Sequence, residues 1–119
     1  MEYPSLLSER TFKFAKETAL FCRRLPQLPD NIEYSKQVIR SSSSVGANYI
    51  EANDALSRKD FVMRIKICRK EAKESAFFLR LISEVNTPVI AGLARGLMNE
   101  AVELKKIFSA IAIKSSAPM

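Results

Sequence analysis

Histidine is absent from this 119-residue chain. Neither a Ser–His nor a Cys–His nucleophile pair can therefore exist, and the Glu-x-x-His pairs of di-iron helical bundles are excluded as well. Glycine occurs three times, and no Gly-rich phosphate loop or dinucleotide fingerprint is present. Cysteine occurs twice, at Cys22 and Cys68, far apart and in no Cys-x-x-Cys spacing. Both lie at or near apolar helix faces, so the expectation is two buried, reduced thiols in a cytoplasmic protein. No run approaches the roughly 20 apolar residues needed to span a bilayer. The opening Met1-Glu2-Tyr3-Pro4 has no basic and apolar leader character. An amphipathic first helix could lie on a membrane, but the core of a bundle claims the same apolar face, so no membrane partner is expected.

Proline is scarce too. The five prolines, at 4, 26, 29, 88 and 118, all fall at the ends of, or between, long stretches of helix formers. With 47% apolar and 27% charged residues, the chain has the composition of a globular protein. Its length suits one domain, residues 1–119, with no need of a covalent staple.

The pattern predicts an all-α protein of four helices, over about 8–25, 31–55, 58–85 and 88–114. On the first, Leu7, Phe14, Thr18, Phe21 and Leu25 share a face, and the helix stops at Pro26 because a residue before proline resists the α conformation. Asp30 and Glu33 have capping-box spacing, which makes Asp30 or Asn31 the expected N-cap of the second helix. That helix places Val38, Val45, Tyr49 and Ala52 inward, with Ile32, Ile39 and Ile50 on a second line beside Gly46. Ser57 with Asp60 caps the third helix, whose core face is Phe61, Ile65, Cys68, Ala72, Ala76, Leu79 and Ile82. Thr87 and Pro88 open the fourth, with Ile90, Leu93, Leu97, Ala101, Leu104, Phe108 and Ile111 inward. The tail from Ser115 to Met119 is expected to be disordered. Short connections make consecutive helices antiparallel, an up-down-up-down four-helix bundle.

The second helix is the least ordinary. Four serines, Ser41 to Ser44, run through it without breaking the periodicity. Gln37, Arg40, Ser44, Asn48 and Glu51 step by three and four onto one polar stripe. A helix of small residues with a narrow polar seam is expected to be buried on nearly all sides, part of an assembly. Glu71 and Glu74 on the third helix are positioned to meet this seam, where Arg40 offers a bidentate partner. Reading Glu51, Glu71 and Glu74 as a metal cluster fails for want of histidine, so no metal or cofactor is expected. An ion-pair network that sets register between helices or subunits is the better account.

The net charge is +6. Much of it comes from the third helix, where Arg58, Lys59, Arg64, Lys66, Arg69, Lys70, Lys73 and Arg80 face only four acids. Lys59, Lys66, Lys73 and Arg80 are spaced by seven and form a row, thickened by Arg69 and Lys70. Such a row, about 30 Å long, can follow a phosphate backbone. It also suits a plain solvated face. No aromatic is expected within it, so base stacking is not.

The run from Gln37 to Ala52, with Arg40, Ser44, Asn48 and Glu51 at its fixed positions, resembles the four-helix-bundle family named after the intervening sequence of bacterial 23S ribosomal RNA genes. The following Ser57-Arg-Lys-Asp60-Phe61 and Ile67-Cys-Arg-Lys-Glu71-Ala-x-Glu74 resemble that family's second block. Ala52 stands where many members have glycine, a mild departure. The resemblance implies a ring-like homopentamer. It also implies a likeness to the accessory proteins of diversity-generating retroelements, basic pentamers that work with a reverse transcriptase and nucleic acid. On this basis Arg40, Asn48, Glu51 and Glu71 are structural motif residues. The expected function is a non-enzymatic homo-oligomer that binds RNA or DNA backbone through the basic helix face. The alternative is a protein-interaction scaffold that contacts no nucleic acid.

Overall fold

A computed structural model describes residues 6–117. They form four helices, α1 (Leu6–Cys22), α2 (Pro29–Asn53), α3 (Arg58–Glu84) and α4 (Pro88–Ser116), in an up-down-up-down bundle with no strand among the described residues. Each break sits where the chain chemistry demands it. Leu25 precedes Pro26, and α1 has already unwound there: the amides of Arg24 and Leu25 bond back three residues, to Phe21 and Cys22. Helix α1 thus ends three residues before the expected point. Leu25 still reaches the core, from the turn.

The expected cap of α2 is not formed. Pro29 takes the first helical position and holds Leu28 extended, so Leu28 is the N-cap and contributes no side-chain bond. Asp30 lies inside the helix and accepts the neighbouring Asn31 N–H at 3.0 Å. Asn31 is itself drawn into the core. The Ser57 cap of α3 forms as expected, its hydroxyl accepting the Asp60 N–H at 3.0 Å. Thr87 and Pro88 start α4, though the Thr87 hydroxyl makes no cap bond. Helix α4 continues through Ser115 and Ser116, which were expected to be disordered, because the Arg58 guanidinium donates to the Ser115 and Ala117 carbonyls at its C-terminal end. Pro118 and Met119, with Tyr3, fall outside the described residues.

Helix α3 packs along both α2 and α4, and α1 packs on α2 while touching α4 sparsely. The core runs through Phe14, Phe21, Val38, Val45, Ile65, Cys68, Leu79, Ile82, Leu104 and Phe108. On α4 the inward positions near its start are Ala91 and Ala94, and Leu93 turns out toward solvent. On α2 the Val38–Val45–Ala52 line faces inward as expected. The second line does not: Ile32, Ile39 and Ile50 are exposed. One chain by itself therefore leaves a side of α2 uncovered. Gly46 lies where α1 crosses α2 closely. A Cβ there would stand 3.3 Å from the Thr11 hydroxyl oxygen.

Candidate nucleic-acid interface

Two polar constellations lie on α2 and α3, one between the helices and one on the outside. The inner one is built from the seam residues. Arg40 reaches across to both glutamates: its Nη1 donates to Glu71 at 2.9 Å and its Nη2 to Glu74. It thus bridges two carboxylates, one nitrogen to each, rather than forking onto one. The Glu71 side chain is only 8% exposed and that of Arg40 51%, so the pair reaches from the core edge to water. The Glu74 hydrogen bond, with the carboxylate charges, raises the Arg40 pKa and keeps the cation fixed. Ser41 and Ser75 lie beneath, fully buried, with their hydroxyls 2.8 Å apart.

The rest of the stripe divides. Asn48 donates to the Ser44 carbonyl at 2.9 Å and accepts from Arg64 at 3.2 Å. Gln37 donates to Glu33 within its own helix at 3.3 Å. Glu51 is exposed and has no ion pair among the described residues. It lies three turns along α2 from Arg40, about 16 Å by helical rise. The three acids therefore do not converge: Glu71 and Glu74 share Arg40, and Glu51 stands apart. Of the flank expected to be buried, Glu71, Glu74, Arg64 and Phe78 do face α2 or its edge, and Phe78 packs against Tyr34. Ile67, on the same flank, is half-buried too and also borders a groove on the outside of the helix.

That groove belongs to the outer constellation. Lys59, Lys66, Lys70, Lys73 and Arg80 are all exposed, Arg69 is half-buried, and none of the six is ion-paired among the described residues. The start of the row is not flat. Val62, Met63 and Ile67 line an open groove of about 810 Å³ together with Arg58, Lys59, Lys66 and Lys70 and with Ser115 and Ser116 of α4. No acid lines it. The row also holds an aromatic, contrary to expectation. Phe77 lies four residues after Lys73 and three before Arg80, on the same side of the helix. The residue is 58% exposed, and its ring stands edge-on to Phe78 at 5.3 Å. The sequence carried this signal in the i, i+4, i+7 spacing of Lys73, Phe77 and Arg80. It was hidden because an adjacent Phe77-Phe78 pair reads as core.

The thiols take no part in either constellation. Cys22 and Cys68 are buried and free. Burial pushes the Cys68 pKa up to about 12 and raises that of Cys22. Cys68 donates to the Val45 carbonyl at 3.4 Å. Among the described residues no group of three or more Cys, Asp or Glu is placed to hold a metal ion, and no helix is long and apolar enough to cross a membrane.

No curated protein matches the chain. A solved structure of a protein of unknown function from the S23 ribosomal protein family of Bacteroides thetaiotaomicron VPI-5482 is similar to it. The two are 28% identical, with a TM-score of 0.74 over 90% of this chain and 98% of that one. The family model described as 23S rRNA-intervening sequence protein matches residues 6–110. With the match spanning all of α1 to α3 and most of α4, the chain belongs to the 23S rRNA-intervening sequence protein family.

Proposed function

We propose that this protein is a non-enzymatic homo-oligomer, a pentamer, that binds nucleic acid through the basic side of α3. The observation that carries the reading is the state of that side: five exposed cations over about 30 Å, with no acid paired to any of them. By contrast, Arg10 is held by Glu100 at 2.7 Å and Arg40 by Glu71 and Glu74. Among the described residues, unpaired cations also lie outside α3, Lys16, Arg23, Lys36 and Arg95 among them, but only on α3 do they form a continuous row. The family's link to ribosomal RNA genes supports an RNA ligand. A cytoplasmic location suits two reduced, buried thiols.

Assembly has its own support. Phe12 and Ile50 are each 64% exposed on the α1–α2 side, with Ile39 further along. Apolar area of this kind marks an interaction surface. A ring would cover it and repeat the basic side in every copy, which strengthens a field that +6 makes only moderate in one chain. The same apolar side favours a second reading, a scaffold whose ligand is another protein, such as a reverse transcriptase. That reading predicts a stable protein partner and no binding to RNA or DNA at low salt.

The test is a gel shift across a salt series. Binding should weaken steeply as salt rises. Replacing Lys59, Lys66, Lys73 and Arg80 by Glu should abolish it while the helical circular dichroism stays unchanged. An unchanged shift overturns the assignment. Light scattering behind a sizing column should give a mass near five times 13.4 kDa; a monomer contradicts the assembly.

A further inference from the structure

We infer that the α3 surface is built for a single strand rather than a duplex, with Phe77 as a stacking platform and the Val62–Met63–Ile67 groove as a seat for base faces. The inference rests on the nucleic-acid reading above and narrows its ligand.

A duplex shows a protein its phosphates and the edges of its bases, while the flat base faces are hidden in the stack. A surface that reads only a duplex backbone therefore needs cations and gains nothing from exposed apolar floor. An unpaired strand is different. It offers an anionic backbone and apolar base faces side by side, and proteins that hold it join a cationic track to aromatic or apolar platforms.

The α3 surface has that second composition along its length. At the Lys59 end, Val62, Met63 and Ile67 line an open groove together with Arg58, Lys59, Lys66 and Lys70, apolar and cationic side chains side by side, with no acid in the lining. Base faces fit the apolar side chains and phosphates fit the cations beside them. At the other end, Phe77 rises between Lys73 and Arg80, both exposed and unpaired. Its ring is held rather than free. Phe78 meets it edge-on at 5.3 Å, and Phe78 in turn packs on Tyr34 at 6.3 Å. A ring fixed from below with 58% of its residue surface open to water presents a face to an incoming base at little entropic cost. Helical rise puts Phe77 about 10 Å beyond Lys70, so groove and platform follow one another along a single track.

The test uses fluorescence anisotropy at low salt with labelled 20-nucleotide oligo-U and oligo-dT and a mixed-sequence duplex of equal length. The single strands should bind at least tenfold more tightly than the duplex. Phe77→Ala should weaken single-strand binding by about tenfold, the equivalent of one stacked base, and leave duplex binding unchanged. Phe77→Tyr should retain affinity, and Met63→Ser should reproduce part of the loss. Equal affinity for duplex and single strand, or unchanged single-strand binding in both Phe77→Ala and Met63→Ser, overturns the inference. Binding that Lys73→Glu with Arg80→Glu removes but Phe77→Ala does not would keep the basic row and discard the platform. No binding of any of the three ligands would remove the nucleic-acid reading and this inference with it.

Discussion

The side-chain amides of Asn31 and Asn86 face each other in reciprocal hydrogen bonds: Asn31 Nδ2 donates to Asn86 Oδ1 at 2.9 Å, and Asn86 Nδ2 donates to Asn31 Oδ1 at 2.8 Å. The second hydrogen of each amide is also used, on the Pro26 carbonyl at 3.0 Å and on the Ile82 carbonyl at 2.9 Å. This pair ties the α1–α2 turn to the α3–α4 turn and closes one end of the bundle.

Asn31 is buried, so Asn31→Ala should destabilise by about 1–3 kcal/mol, because it leaves the Asn86 amide unsatisfied. Asn31→Asp should do more harm at neutral pH, since a carboxylate would sit beside the Pro26 and Asn86 oxygens. Denaturant titration of the two singles and the double with Asn86→Ala checks this. The double should cost clearly less than the two singles added.

Removing Arg40 leaves Glu71 near the core without its cation. Breaking a fully buried ion pair costs about 3–5 kcal/mol; with Arg40 half in water, Arg40→Met should cost about 1–2 kcal/mol. Adding Glu71→Gln should recover much of the loss, because a neutral amide no longer needs the guanidinium. Chemical denaturation midpoints for the three variants decide it.

The three glycines should respond with opposite signs. At Gly92 and Gly96 an added Cβ meets nothing within 4 Å, so each change to Ala should stabilise by about 0.5–1 kcal/mol through helix propensity. At Gly46 the new methyl presses on Thr11, a stiff β-branched residue whose hydroxyl already bonds the Ser8 carbonyl at 3.0 Å. Gly46→Leu should overpack the α1–α2 crossing and destabilise by more than 1 kcal/mol. Thermal melts of the three variants are sufficient.

Both thiols should resist modification. Burial raises both pKa values, that of Cys68 from 9.0 to about 12. A thiol whose pKa is higher folded than unfolded stabilises the fold below the unfolded value, and that contribution is lost as pH rises through the folded one. Stability should therefore decline between about pH 9 and pH 12, less so in Cys68→Ala. At pH 8 iodoacetamide should label neither cysteine in the folded protein and both in denaturant.

Helix number, the positions of the breaks, the passage of Ser41–Ser44 through α2 and the inward face of α3 were all legible in the sequence. Each depends on local rules: proline geometry, the Ser57 cap and apolar spacing repeated over many turns. The exposed basic row was legible for the same reason, since a seven-residue spacing places side chains on one line whatever they pack against. Other features required the tertiary structure. The Asn31–Asn86 pair, the division of Arg40 between Glu71 and Glu74, and the Ser41–Ser75 contact join residues 31 to 55 positions apart. Their meeting depends on the height and rotation of one helix against another, which no local pattern encodes. The same rotation decided that Ile32, Ile39 and Ile50 face outward and Ala91 and Ala94 inward. It also left Val62, Met63 and Ile67 lining an open groove and Phe77 standing in the basic row, because α3 packs mainly on two neighbours, α2 and α4.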